Sequence, residues 1–339
     1  MKSLVRLSLL VVLVSIAAAT IHAQDTPRPD QTDRIRLAEA FTIAGELGDS
    51  LWPGWSEAPF AVLLVTDDYE FLMKHPEPTE DFTPAYHDNL LGSDIFYRKR
   101  VFDPSFLAAF PAVNGFPTIV VGQAEKTFAS TSSEWVLTIL HEHFHQKQMA
   151  DSGYYEDALA LDLHDGDQTG MWMLNYAFPY DSTAVAKAFA DMSSALYDAV
   201  EAIGRKDFPV KLREYYTRRQ AFTGMLAAPD ARYFNFQVYL EGIARYTEYE
   251  MGKRAGWNHS PLPAYAALDD YVKFDQIADM IYISAMSQLK MGDLSRAQRT
   301  AFYAIGWGEG LLLDAIKPNW RSEYVHERFD LTPILMPKK

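Results

Sequence analysis

The stretch from Trp135 to Gln146 contains the residues best suited to carry out chemistry. Within it, His141, Glu142 and His145 fit the pattern H-E-x-x-H. On an α-helix, side chains four residues apart lie on one face about one turn apart, so the two imidazoles can be directed at one cation. Glu142 then lies beside the metal, where its carboxylate can take a proton from a water that the metal polarises. The spacing therefore predicts a zinc site with a general base.

This geometry requires a helix, and the sequence around the motif predicts a buried one. Thr131 and Glu134 have the T-x-x-E spacing of a capping box. Apolar residues surround the predicted helix on nearly all sides. Buried imidazoles and a buried carboxylate are costly without a partner, which a zinc ion would supply; the alternative is a core group satisfied by hydrogen bonds alone. His143 points about 200° away from His141 and is not expected to be a ligand.

A catalytic zinc ion normally takes three protein ligands, so one more is required. The metzincin continuation of the motif would need Gly and His where this chain has Gln148 and Asp151. Glu156 is close in sequence, but nothing around it marks it as a ligand. Glu241 lies in a more distinctive context, the segment Leu-Glu-Gly-Ile-Ala-Arg-Tyr-Thr-Glu-Tyr at positions 240–249.

The 240–249 segment resembles the N-E-G-F-A-x-Y-x-E-Y segment of the gluzincin metallopeptidases, best known in the M1 aminopeptidases. His141 to Gln146 is similar to their H-E-x-x-H-Q motif. This resemblance implies that Glu241 is the third ligand of one zinc ion and that Glu142 is the base. Residues 146–240 separate His145 from Glu241. This gap is much longer than in the M1 enzymes, so the chain is not a simple member of that group. We expect helices there that bulge outward, and we expect Gly242 to let its helix pack close to the motif helix.

The reaction also needs a donor for the oxyanion that forms at the carbonyl. In the M1 group a tyrosine follows the glutamate by a few tens of residues, so the resemblance makes Tyr303 the leading candidate, with Tyr282, Tyr271 and His259 as alternatives. The stretch Gly-Gln-Ala-Glu at positions 122–125 faintly resembles the G-x-M-E-N segment that binds a substrate amino terminus. Glu125 would be that anchor, although Ala124 and Lys126 depart from the pattern.

Helical spacing also suggests groups that support the metal ligands. Arg245 and Glu248 follow Glu241 by four and seven residues and share its helix face. A ligating histidine usually donates its other ring nitrogen to a carboxylate or carbonyl, a role that Glu248 could fill. Arg245 could pair with either glutamate or with a peptide carboxylate. An ordinary salt bridge on the helix surface is the alternative.

Strand-like stretches come first in the chain and helical stretches follow, which predicts an α+β fold that is mostly α, with a small N-terminal sheet and then a large helical lobe. Together with the resemblance, this order implies a zincin-like, gluzincin architecture. Strand-like runs lie at 60–65, 95–102 and 117–121, and helical periodicity is found at 35–47, 155–163, 183–203 and 210–226. We expect an α/β part at 24–130 and a helical catalytic lobe at 131–339, packed as one unit. Residues 117–124 are expected to hold an extended substrate at a sheet edge, or else to form an ordinary core strand. Residues 164–167 are expected to form a solvated turn.

The first residues predict export. Lys2 and Arg6 precede an apolar run from Leu7 to Ala19, which is typical of a signal peptide at residues 1–23; an uncleaved anchor is the alternative. The chain has no cysteine, which favours a bacterial periplasmic or extracellular protein without disulfides. A net charge of −14, more negative still after removal of Lys2 and Arg6, argues against nucleic acid and anionic membranes as partners.

These observations together predict an exported zinc metallopeptidase that acts on a peptide or protein substrate and is not inserted in a membrane after signal cleavage. Two alternatives stay open. One is a metal- or peptide-binding module without turnover, although an intact Glu142 has no use in a purely structural site. The other is a zinc-dependent amide or ester hydrolase with a non-peptide substrate.

Overall fold

The computed structural model describes residues 26–167 and 169–336. The predicted signal peptide at residues 1–23 lies outside this part of the chain, so export stays a prediction. Among the described residues, no helix is both long enough and apolar enough to cross a membrane.

The N-terminal part contains a six-stranded sheet with the order β3-β4-β2-β1-β6-β5. Its strands are β1 (Val62–Val65), β2 (Tyr69–Met73), β3 (Thr83–Asp88), β4 (Ser93–Lys99), β5 (Leu107–Val113) and β6 (Phe116–Gly122). The neighbours β1 and β6 are parallel, and the other neighbours are antiparallel. The three strand-like runs of the sequence correspond to β1, β4 and β6, whereas β2, β3 and β5 were not predicted.

Helices form most of the remaining described chain. They are α1 (Gln31–Leu51), α2 (Ser132–Ala150), α3 (Tyr154–Ala160), α4 (Trp172–Asn175), α5 (Thr183–Glu201), α6 (Phe208–Met225), α7 (Ala228–Gln237), α8 (Ile243–Asn258), α9 (Pro263–Ala266), α10 (Phe274–Met291), α11 (Leu294–Ala297), α12 (Ala301–Ile316), α13 (Arg321–Tyr324) and α14 (Thr332–Leu335). A π-helical segment, Val238–Gly242, joins α7 to α8, and a short 3₁₀ turn, Gln298–Thr300, precedes α12. The α+β class with a small sheet and a helical lobe is thus confirmed, while the zincin-like assignment stays a prediction.

Helix α2 is the element that ties the sheet to the helical lobe. Thr131 and Glu134 form the predicted capping box at its start. The Trp135 indole donates to the Gly122 carbonyl at 2.9 Å, and the Gln146 side-chain amide donates to the Ala61 carbonyl at 2.9 Å. Helix α2 also packs against β5, β6, α1 and α8. The H-E-x-x-H motif is therefore held on a helix that is fixed to the sheet near both of its ends.

The long segment between the two motifs does not simply bulge outward, as the sequence had suggested. Its helices α5 and α6 pack on each other, and α5 also packs on α10 and α12. The part from α3 to α4 instead lines the cavity in front of α2. The expectation is wrong for this part because apolar side chains of α3 and α4 can lie over the cavity and shield it from solvent.

Candidate metal centre

Three side chains from two distant segments converge at the open face of α2. His141 and His145 lie one turn apart on α2, and Glu241 lies in the π-helical segment. The two histidine Nε2 atoms are 3.2 Å apart, and Glu241 Oε2 is 3.7 Å from His141 Nε2 and 3.5 Å from His145 Nε2. Ligands held at 2.0–2.1 Å by one tetrahedral ion stand about 3.3–3.4 Å apart. The group thus has the size of a site that could hold one metal ion.

The outer nitrogens of both imidazoles are already engaged. His141 Nδ1 donates to Glu248 Oε2 at 3.2 Å, and His145 Nδ1 donates to Gln148 Oε1 at 2.6 Å. The orientation of Gln148 is fixed because its amide nitrogen donates to the Leu240 carbonyl at 3.1 Å and to the Tyr324 hydroxyl. In neutral imidazoles, both Nε2 atoms then present lone pairs to each other and to a carboxylate. A proton or a metal cation between them would remove that repulsion.

The charges at the centre are strongly coupled. Burial disfavours a charged His141, but Glu241 and Glu248 outweigh this effect and raise its pKa to about 9. Burial alone would raise the pKa of Glu241, yet His145 and His141 hold it well below its usual range. The pKa of Glu248 is also lowered, because Arg245 and His141 outweigh burial. Glu241 is therefore ionised, and a metal ion would have to displace a proton from His141 in order to bind.

Glu142 lies beside the three ligands and is held by the sheet. Its Oε2 accepts a hydrogen bond from the Ala109 amide of β5 at 2.7 Å. Burial raises the pKa of Glu142, while His145 and His141 act in the opposite direction. A carboxyl group with a raised pKa, fixed next to a metal site, has the properties of a general base that later returns its proton.

Tyr303 also lies at the centre, together with an arginine that the sequence did not single out. Arg299 Nη1 donates to the Tyr303 oxygen at 2.7 Å and to Glu241 Oε1 at 3.3 Å. Burial and the neighbouring Glu241 raise the pKa of Tyr303 well above its usual value, so the phenol keeps its proton. The Tyr303 O–H thus remains a donor, next to Glu241 and at the wall of the cavity.

The supporting role suggested for Glu248 agrees with its contacts. It bridges His141 and Arg245, whose Nη1 donates to Glu248 Oε2 at 2.8 Å. Both interpretations of Glu248 are therefore met at once: it forms the salt bridge with Arg245 and also the hydrogen bond with His141. His143, as expected, points away from the ligands and stacks on Phe60 with 3.7 Å between ring centroids.

Several other candidates lie away from the centre. Glu125 pairs with Arg36 at 2.6 Å and does not line the cavity, so the structure gives no support to the amino-terminal anchor suggested for it. Glu156 is exposed on α3 and does not join the ligand group. Three further candidates for the oxyanion donor do not line the cavity: Tyr282, Tyr271 and His259. Residues 164–167 form a turn, as predicted.

The strand next to the site is not the one predicted. Residues 117–124 largely belong to β6, which lies between β1 and β5, so this segment cannot add a substrate strand at a sheet edge. The edge strand on this side of the sheet is β5, and its residues 107–111 line the cavity together with the preceding Phe106. The Ala109 amide bonds to Glu142 and thus points away from β6; in an antiparallel strand Leu107, two residues earlier, presents its backbone in the same direction.

The close packing of Gly242 also differs from expectation. A Cβ atom added to Gly242 would lie 2.5 Å from the Gly306 Cα of α12, so this glycine lets the π-helical segment approach α12 rather than α2. The close approach of α8 to α2 occurs at Gly252, where an added Cβ would meet Leu137 at 3.0 Å. The expectation was wrong because a glycine shows that a neighbour is near, and its sequence position does not say which neighbour.

Three functional groups were missed in the sequence, and two of them had a detectable signal. Gln148 follows His145 by three residues and therefore lies on the same face of α2. Arg299 precedes Tyr303 by four residues, which is the spacing of neighbours on one helix face. In the structure, Gln298 before it has a φ of +49°, a strained conformation that is common at functional sites. The Ala109 amide gave no side-chain signal.

The metal centre opens into a large cavity of about 1350 Å³. Its floor is formed by α2 and β5, and its walls come from α3, α4, α10 and the start of α12. Comparisons of the chain with protein-family models, with curated proteins and with solved structures find no match. The resemblance to gluzincins thus rests on the motif residues and their convergence at this centre.

Proposed function

We propose that this chain hydrolyses peptide bonds with one zinc ion, in the manner of the gluzincin metallopeptidases. The observation that carries the proposal is the meeting of His141, His145 and Glu241 next to Glu142. Two imidazoles and one carboxylate are a ligand set typical of catalytic zinc, which keeps a fourth position for water or substrate. A bound zinc ion would supply Lewis-acid polarisation and lower the pKa of a water molecule.

The chain's own residues supply the remaining steps. Glu142 accepts the proton of the attacking water and passes it to the leaving amine. The Tyr303 O–H, held by Arg299, donates to the carbonyl oxygen as negative charge builds on it. The hydrogen bond from the Ala109 amide keeps the Glu142 carboxylate in one orientation through both proton transfers.

The position of β5 supports a polypeptide substrate. Backbone groups at the free edge of a sheet can pair with an extended peptide whatever its sequence. Because the same strand bonds to Glu142, a peptide paired to β5 would pass directly beside the base and the ligands. This arrangement favours a peptidase over a hydrolase of small amides or esters.

The experiment compares zinc-loaded wild type with Glu142→Gln on a mixed peptide library. The exposed Glu156→Gln on α3 is the matched control. We expect wild type and Glu156→Gln to cleave peptides, and Glu142→Gln to bind zinc equally well but cleave at least about hundredfold more slowly. Zinc binding without any cleavage by wild type would instead favour a binding module, and cleavage of simple esters alone would favour the non-peptide hydrolase.

A further inference from the structure

Exposed apolar side chains are concentrated at the mouth of the metal cavity. In the part of the chain that the structure describes, six of the fourteen large apolar side chains that are exposed line this cavity: Phe128, Tyr155, Leu159, Met171, Leu174 and Met280. We call these six residues the apolar rim. Phe128 is the most exposed of them, at 74%, and an apolar patch of this kind at a cavity is typical of a binding site.

The apolar surface continues beyond the cavity along α10. Met280 belongs to the rim and also lines a shallow groove with Ile283 and Met291, which are 66% and 64% exposed. Their spacing of three and eight residues places them along one side of the helix. The rim and this groove therefore form one continuous apolar track that starts at the metal centre.

Charge and size restrict what could cover this track. The net charge of −14 opposes contact with an anionic membrane surface. The cavity of about 1350 Å³ exceeds the 300–1,000 Å³ that is typical of small-molecule sites. Beneath the rim, β5 directs the backbone groups of Leu107 and the Ala109 carbonyl away from the sheet, while the Ala109 amide is bonded to Glu142. An extended polypeptide is the occupant that satisfies both the backbone edge and the apolar walls.

We propose that the apolar rim recognises an extended polypeptide segment rich in large apolar side chains, which lies between β5 and the helices α3, α4 and α10. Four methionines line the cavity: Met149, Met171, Met173 and Met280. Methionine side chains are flexible and polarisable, so they adapt to different apolar partners. The site therefore discriminates apolar from polar segments but tolerates many apolar residues. Cleavage of the bound segment rests on the proposed function, whereas its binding does not.

Binding is tested in the Glu142→Gln background, so that the probe is not cut. Two labelled peptides of equal length are compared by fluorescence anisotropy, one with alternating Leu, Phe and Val and one in which these residues are replaced by Ser and Gln. We expect the apolar peptide to bind at least about tenfold more tightly. The rim substitutions Met171→Ser, Leu174→Ser and Met280→Ser together should remove this preference.

The matched control replaces exposed apolar residues outside the cavity, Val101→Ser and Val210→Ser, which should leave the preference unchanged. Equal affinity for the two peptides would overturn the proposal, as would a preference that survives the rim substitutions. Rim-dependent binding to neutral lipid vesicles, or rim-dependent self-association without peptide binding, would also overturn it. If wild type cleaves polar peptides as well as apolar ones, the peptidase proposal is supported and only the apolar preference is overturned. If apolar peptides bind at the rim but are not cleaved, the apolar preference is supported and the peptidase proposal is overturned.

Discussion

At the scale of residues, the candidate metal centre depends on side chains other than its three proposed ligands. Glu248 lies fully inside the protein, yet its pKa is lowered, because Arg245 and His141 both favour its ionised form. Its carboxylate fixes the orientation of His141 and makes the ligating nitrogen more basic. Gln148 orients His145 in the same way but without a charge. His141 is therefore held by a charged partner and His145 by a neutral one.

This difference gives a prediction for Glu248→Gln. The substitution keeps the shape and a hydrogen-bond acceptor but removes the negative charge next to His141, so we expect zinc affinity to fall about 10–100-fold. Affinity is measured by competition with a chromogenic chelator. Glu250→Gln is the control, because Glu250 lies on the same helix and pairs with Lys253 instead. Unchanged zinc affinity in Glu248→Gln would show that its bond to His141 does not support the metal.

The residues of the centre also show how far the sequence leads. His141, Glu142 and His145 could be assigned because helical geometry is local, and Glu248 because it shares a helix with Glu241. Arg299 contacts Glu241 across 58 residues of chain, and no periodicity connects the two. The Ala109 amide is a backbone group, which any residue type would provide. Contacts of these two kinds come from tertiary packing and leave little trace in a single sequence.

At the scale of elements, the proposed third ligand, Glu241, depends on the contact between the π-helical segment and α12. A Cβ atom added to Gly306 would lie 2.4 Å from both the Gly242 Cα and the Val238 oxygen. The two backbones touch because neither glycine has a side chain at this point. Glu241 precedes Gly242 directly, so this contact sets the position of its carboxylate relative to α2. π-helical segments are rare and are often found at functional sites.

Gly306→Ala should therefore affect the fold and the metal together. The new methyl group forces the π-helical segment away from α12, and we expect a loss of about 1–3 kcal/mol in the free energy of unfolding and weaker zinc binding. Chemical denaturation and chelator competition measure the two effects. Gly45→Ala is the control, because the exposed Gly45 of α1 has no atom within 4 Å of an added Cβ and should gain about 0.5–1 kcal/mol. Unaltered zinc affinity in Gly306→Ala would separate Glu241 from this contact.

Two of the three strands that the sequence failed to predict, β3 and β5, share a physical feature that β2 lacks. Both edge strands contain a proline, Pro84 in β3 and Pro111 in β5, and proline within a sheet is confined to edges and bulges. These prolines obscured the strand pattern, although they correctly mark the edges. The helices α1, α5 and α6 were found within a few residues because their periodicity is local. The order of the strands depends on pairing between distant segments, which composition does not record.

At the scale of the whole molecule, a metal ion would act as a cross-link. His145 and Glu241 are separated by ninety-five residues, and the gap contains α3 to α7. An ion held by both α2 and the π-helical segment would fix the sheet-bound part of the chain to the helical lobe. Without cysteine in the chain, no disulfide can do this. Removing the metal should therefore lower the stability of the whole protein as well as its activity.

The corresponding prediction concerns thermal unfolding with and without zinc. If zinc binds only the native state, a free zinc concentration of one hundred times Kd stabilises the protein by about 2.7 kcal/mol. The Tm with zinc should therefore lie several degrees above the Tm in excess chelator. Glu142→Gln should keep this shift, because Glu142 is not one of the three proposed ligands. His145→Ala and the more conservative Glu241→Gln should each lose it, since each removes one arm of the cross-link. Scanning calorimetry of wild type and the three variants measures the zinc-induced rise in Tm. An equal rise in all four proteins would mean that zinc binds elsewhere. The loss of the rise in Glu142→Gln would mean that Glu142 is a ligand rather than the base.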